Sequence, residues 1–78
     1  MKKQEKENSL LKLANAIRKR RQELQLSQEK LAERCGFDRT YISLLERAKR
    51  NPSFLNLEKI SHGLNTELSI LLKEQENG

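Results

Sequence analysis

Leucine and isoleucine return every three or four residues along most of this chain, a spacing that predicts helices and not strands. Leu10, Leu13, Ala14, Ile17 and Leu24, with the aliphatic stem of Arg21, form one stripe of a first helix, which Ser9 is placed to cap and which ends near Gln25. Ser27 is the next N-cap signal. Gln28 and Glu29 follow in the first turn, Leu31, Ala32 and Cys35 supply an inner face, and Gly36 is set to end the helix in a left-handed conformation. Asp38 caps a third short helix that carries Ile42 and Leu45 inward, and residues 46–53, ERAKRNPS, form a polar basic loop closed by Pro52. Ser53 starts a fourth helix with Phe54, Leu57, Ile60 and Leu64 at helical spacing, stopped at Gly63–Asn65. Thr66 caps a fifth, bearing Leu68, Ile70, Leu71 and Leu72. Residues 1–8 alternate charges without an apolar face and predict a flexible tail, with a second tail at 75–78, so the folded domain is expected to span 9–74. The prediction is an all-α fold, a five-helix bundle with short connections.

Composition narrows the picture. Seventy-eight residues allow one domain, and a chain of this size buries only about 60% of its unfolded surface. Hydrophobic and charged residues each make up 35%, but the regular leucine period argues against global disorder. Three glycines and one proline are too few for a chain of many short strands. The lone Cys35 excludes an internal disulfide framework and reads as a small core residue, and the lone His62 reads as a surface residue with nothing to share a metal. No metal, cofactor or small-molecule ligand is expected. No apolar run reaches membrane-spanning length and MKKQEKENS lacks the apolar stretch of a signal peptide, so the expected location is cytoplasmic, with no membrane partner. There is no glycine-rich phosphate loop, paired carboxylate cleft or Ser/His/Asp arrangement, so catalysis is not expected.

The net charge of +5 is unevenly spread. Residues 18–50 hold ten basic against five acidic side chains, whereas residues 51–78 are mildly acidic. With an isoelectric point near 9.7, this is the electrostatic footprint of a nucleic-acid binder. Arg18, Lys19, Arg20 and Arg21 are the densest basic run, but a helix spreads four consecutive residues around its axis. A structural role is expected there, with Arg18 pairing an acid of the second helix such as Glu33. Glu46, repelled by phosphates, is expected to pair with and orient a nearby arginine.

The segment from Gln28 to Glu46 places two short helices about a tight joint at Gly36, with small Ala32 where they approach. That is what a helix-turn-helix needs. Leu31, Ala32, Cys35, Phe37, Ile42 and Leu45 lock the angle, leaving the second helix free to enter a major groove. The stretch LSQEKLAERCGFDRTYISLLER resembles the phage-repressor/Cro-type helix-turn-helix family, matching its pattern at Gln28, Leu31, Ala32, Gly36, Ile42 and Leu45. DRTYIS followed by ERAKRNPS resembles the controller proteins of bacterial restriction–modification systems. One departure is Ala48, where the family often has glycine. An alanine costs about 1 kcal/mol there if the site needs a left-handed backbone.

The resemblance implies a lambda-repressor-like DNA-binding domain and a transcriptional regulator of double-stranded operator DNA. It favours Arg39, Thr40 and Tyr41 near bases, with Ser43 supporting, and the place of Arg47 in the loop beside the duplex makes it a further candidate base contact. Chemistry agrees: arginine can grip guanine O6 and N7, threonine offers a hydroxyl and a methyl, and tyrosine an apolar ring with a polar tip. Tyr41 packed simply on the domain surface is the competing reading. Gln28 resembles the family's backbone-gripping glutamine, and Lys49, Arg50 and Asn51 are assigned to phosphates. A single helix-turn-helix reads too few base pairs for a genome, so a homodimer on palindromic half-sites is expected. Leu68, Ile70, Leu71 and Leu72 are its candidate interface, since they put apolar side chains on more than one face of the last helix. Controllers of this kind dimerise through C-terminal helices, activating at low occupancy and repressing when a second dimer joins. A phage-type repressor, a toxin–antitoxin regulator, or a protein-interaction module using the fifth helix are the alternatives.

Overall fold

The computed structural model describes the backbone of residues 3–77 and the side chains of residues 8–73. Its elements are α1 (Lys3–Glu23), α2 (Gln28–Cys35), α3 (Arg39–Glu46), α4 (Phe54–Gly63) and α5 (Leu68–Asn77), with no strand among the described residues. The expected order of five helices is met, and the differences lie at the ends. Helix α1 begins at Lys3 and Ser9 lies inside it, so Ser9 is not its cap. The physical reason is composition: lysine, glutamine and glutamate are good helix formers, and nothing in this stretch breaks the helix. Of the two expected tails, residues 1–2 and 78 lie outside the described residues, while 3–8 and 75–77 are helical.

Ser27 and Ser53 cap as expected, accepting hydrogen bonds from the backbone N–H of Lys30 at 3.0 Å and of Asn56 at 3.1 Å. Asp38 occupies the N-cap position of α3 with extended backbone, but its side chain makes no capping bond. Helix α5 starts one turn-residue later than Thr66 would dictate, because the carbonyl of Glu67 takes the N–H groups of Ile70 and Leu71.

Helix α1 packs on α3 and α5, α2 on α3 and α4, and α4 on α5. Ile17, Leu31, Ile42, Ile60, Leu64 and Leu71 are the largest fully buried side chains, with Leu13, Ala16, Ala32, Cys35 and Leu45 completing the core. Gly63 ends α4 against the C-terminus of α2. A Cβ there would overlap the sulfur of Cys35, so Gly63 is needed for close approach and not to stop the helix. Burial pushes the Cys35 thiol above its ordinary pKa, which keeps it a neutral core group. Phe54, expected inward, is 64% exposed. It sits in the first turn of α4, where the helix extends past the core, and Leu57 and Ile60 carry the inner face instead.

Candidate nucleic-acid interface

Helices α2 and α3 meet as a helix-turn-helix must. Ala32 is buried, and Gly36 has φ 78°, a left-handed backbone with open space where a side chain would sit. Glycine is required there for its conformation. The Gly36 and Phe37 N–H groups close the end of α2 onto the carbonyls of Glu33 and Ala32. Phe37 then anchors the turn on the core, and Ile42 and Leu45 pin α3 with one face outward.

That outward face begins with Arg39 and Thr40, both exposed in the first turn of α3. Ser43 is half-buried, and its carbonyl accepts from both the backbone N–H and the Nε of Arg47, so the exposed Arg47 side chain folds back along the helix end. Lys49, Arg50 and Asn51 are exposed in the following loop, which buried Pro52 closes. The loop is started by Ala48 with φ 58°, the strained left-handed case that its alanine made doubtful. The N–H groups of Ala48 and Lys49 bond the carbonyls of Leu45 and Leu44 at 3.1 and 2.8 Å, which fixes where the loop cations leave α3.

Tyr41 is half-buried, and its surroundings were not foreseen. Its ring lies 4.7 Å from that of Phe37, the Arg50 guanidinium stands 5.3 Å over its face, and its hydroxyl accepts a hydrogen bond from Asn56 Nδ2 at 3.0 Å.

Behind the face lies a second feature only partly foreseen. Glu46 is buried, and both its oxygens are used. Arg21 Nε donates to Oε2 at 2.6 Å, Arg21 Nη2 to Oε1 at 3.0 Å, and Gln28 Nε2 to Oε1 at 3.1 Å. Arg21 Nη1 also donates to the Leu26 carbonyl at 2.7 Å. The hydrogen bond and charge of Glu46 raise the Arg21 pKa further above its already high ordinary value, so the guanidinium stays charged throughout. Three helices are thus tied at one carboxylate: the end of α1, the start of α2 and the end of α3. Glu46 was expected to hold an arginine, and it does, but the partner comes from α1. Gln28 turns one amide hydrogen inward to this network and keeps the other.

The basic run of α1 divides by face. Arg20 Nε and Nη2 donate to the carbonyls of Leu64 and Asn65 at 3.0 and 3.1 Å, closing the end of α4, and Arg20 also lies 3.6 Å from Glu23. Arg18 does not pair with Glu33: Arg18 bonds Asn15 Oδ1 at 2.6 Å, and Glu33 lies 4.0 Å from Lys30. The rotation of α1 turns Arg20 and Arg21 inward and leaves Arg18 and Lys19 exposed.

On α5, Ile70 and Leu72 are exposed, at 49% and 37%, and Leu68 is half-buried against the core. Leu71 is 1% exposed within a single chain, so it belongs to the core and offers nothing to a partner. Sequence reasoning missed Leu11, Phe54 and Leu55, which are also exposed and apolar. No described helix is long and apolar enough to cross a membrane.

Residues 17–71 match a helix-turn-helix family. Control protein C.MunI of a Mycoplasma species is 45% identical over 67 residues, covering 85% of this chain and 90% of that protein. The restriction–modification controller protein C.AhdI from Aeromonas hydrophila superposes with a TM-score of 0.78 at 39% identity, over 80% of this chain and 94% of its own. The controller protein C.Esp1396I, solved as a tetramer in complex with its natural 35-base-pair operator, superposes with a TM-score of 0.77 at 39% identity, over 87% and 95% of the two chains.

Proposed function

The chain belongs to the helix-turn-helix family, and on that premise we propose that it is a homodimeric, sequence-specific transcriptional regulator, the controller of a restriction–modification system. The observation that carries this is the outward face of α3. Arg39 and Thr40 stand exposed in its first turn, with Arg47, Lys49, Arg50 and Asn51 exposed just after it, over a rigid three-helix tie. Short polar side chains on a helix, flanked by loop cations, suit base edges in a major groove and the phosphates beside it. The likeness to C.Esp1396I, solved as a tetramer on its operator, supports the DNA partner and an assembly of more than one copy, and the likeness to control protein C.MunI supports the controller role.

In this reading Arg39, Thr40, Ser43 and Arg47 address bases, with Tyr41 beside them, and Gln28, Lys49, Arg50 and Asn51 address phosphates. The protein acts in the cytoplasm, catalyses nothing and senses no small molecule. Its own concentration sets occupancy, because weak dimers assemble as copies accumulate.

The test is a titration of the duplex lying upstream of the chain's own gene against a scrambled duplex, at several salt concentrations. The native duplex should win, and binding should weaken steeply with salt. Arg39→Ala should cost roughly 1–3 kcal/mol and relax sequence preference, while Lys49→Ala should weaken all duplexes alike and flatten the salt slope. Indifference of the wild-type protein between the two duplexes would sink the proposal.

A further inference from the structure

From α4, outside the helix-turn-helix, a side chain reaches in to hold the recognition helix. Asn56 lies in the first turn of α4, where its backbone N–H is fixed by the Ser53 cap at 3.1 Å and the next N–H, of Leu57, by the Ser53 carbonyl at 2.9 Å. From that fixed position Nδ2 donates to the Tyr41 hydroxyl at 3.0 Å. A phenol has one proton to give and lone pairs to receive. With Asn56 occupying a lone pair, the hydroxyl hydrogen points elsewhere, and Tyr41 donates no side-chain hydrogen bond to another described residue. The ring is braced at the same time, by Phe37 on one side and by the Arg50 guanidinium over its face.

We infer that Asn56 is a positioning residue for DNA binding: it clamps Tyr41 so that the ring carries Arg50 and the hydroxyl hydrogen is presented to a phosphate oxygen. The inference rests on the DNA-binding reading above and adds a residue from α4 to it. Without the clamp the ring and hydroxyl must be ordered when the phosphate arrives, and the loop cation loses a fixed platform. The orientation is set before DNA arrives, so less ordering is required on binding.

The experiment is a double-mutant cycle on the full-length protein, read as affinity for the upstream duplex. Asn56→Ala and Tyr41→Phe should each weaken binding about tenfold, as expected for one hydrogen bond to a charged group, and the double variant should be within about twofold of either single one. Asn56→Asp is the variant that separates positioning from stability. A carboxylate in the first turn of a helix favours the helix dipole, so melting temperature should hold or rise. Affinity should nevertheless fall, because the phenol now spends its proton on that carboxylate. Repeating Asn56→Asp in the Tyr41→Phe background isolates the plain charge effect.

Tyr41 is the one tyrosine of the chain and there is no tryptophan, so its emission reports the clamp without DNA. Emission anisotropy of the free protein should drop in Asn56→Ala. The clamp is overturned if Asn56→Ala binds within twofold of wild type, or if its full loss persists in the Tyr41→Phe background. In those cases a continuing loss from Arg39→Ala leaves the DNA-binding reading standing. If the wild-type protein shows no preference for the upstream duplex, both fall together.

Discussion

At the scale of single residues, the first four helices end in the same way. Gln25, Gly36, Ala48 and Asn65 all have positive φ, at 58°, 78°, 58° and 53°. In each case the N–H of that residue and of the next one reach back to two carbonyls of the last turn, the paired bonds of a Schellman motif. Two of the following residues, Leu26 and Phe37, are also apolar and pack on the core. Only one of the four positions is glycine and one is asparagine, the types that tolerate this backbone. That is why Gly36 and the neighbourhood of Asn65 were legible as stops in the sequence, while nothing about Gln25 announces a left-handed residue and Ala48 is flagged only by a resemblance that often has glycine there. Gly63 is the last residue of α4, as the sequence suggests, and is also a packing residue against Cys35, which the sequence does not announce. Ala48 keeps its conformation because Leu44, Leu45 and buried Pro52 fix the chain on both sides. Ala48→Gly should therefore raise stability by about 1 kcal/mol, less the extra freedom glycine gives the unfolded chain. Urea denaturation would measure it, and a loss of stability would show that the methyl of Ala48 matters more than its backbone strain.

At the scale of helices, the periodicity of leucine and isoleucine was enough to place every element, because a small core leaves each helix one face to bury. It did not reveal how α1, α2 and α3 are held in register. The clue was present but easy to discount. Arg21 sits four residues after Ile17, on the apolar stripe of α1, and Glu46 sits four after Ile42, on that of α3. Charged residues on two stripes that face one core must meet or be expelled. They meet, with side chains only 13% and 2% exposed, and Gln28 joins them. Removing one charge alone leaves the other buried without a partner, which is the costly case, whereas an apolar pair of similar volume is tolerated. Glu46→Gln should cost about 3 kcal/mol in a urea melt, toward the low end for buried pairs because Arg21 keeps some water contact. The double variant Arg21→Met, Glu46→Leu should recover most of that loss. Its DNA affinity should not recover to the same extent, since an apolar contact holds the angle of α3 less strictly than three directed hydrogen bonds. Equal recovery of stability and affinity would mean that the tie is a structural brace with no part in aiming α3.

At the scale of the molecule, the large exposed apolar side chains are sorted by helix. The large exposed hydrophobics Leu11, Phe54, Leu55, Ile70 and Leu72 lie on α1, α4 and α5, and none lies on α2 or α3. Exposed cations occur on every helix, and Arg39, Arg47, Lys49 and Arg50 gather on α3 and the loop after it. Helices α4 and α5 pack on each other, and α5 packs on α1, so the apolar set is carried by adjoining elements. Four leucine-type positions on α5 suggested this face in the sequence, but periodicity alone could not say that Leu71 points inward or that α4 contributes Phe54 and Leu55. A chain with a core this small gains more from covering those side chains with a second copy than from leaving them wet. Ile70→Lys tests that directly. Ile70 is half-exposed in the single chain, so the substitution should leave helix content and the urea midpoint of the isolated fold nearly unchanged. Sedimentation at micromolar concentration should shift from twice the 9.1 kDa chain mass to the mass of one chain. On the upstream duplex, the binding curve should lose its steepness, and half-saturation should move to higher protein concentration by about tenfold or more, because each half-site must then be filled independently. Wild-type protein that already sediments as a single chain at those concentrations, or an Ile70→Lys variant that remains paired, would remove α5 from the interface. In the second case Phe54→Lys on α4 would be the next position to examine by the same measurement.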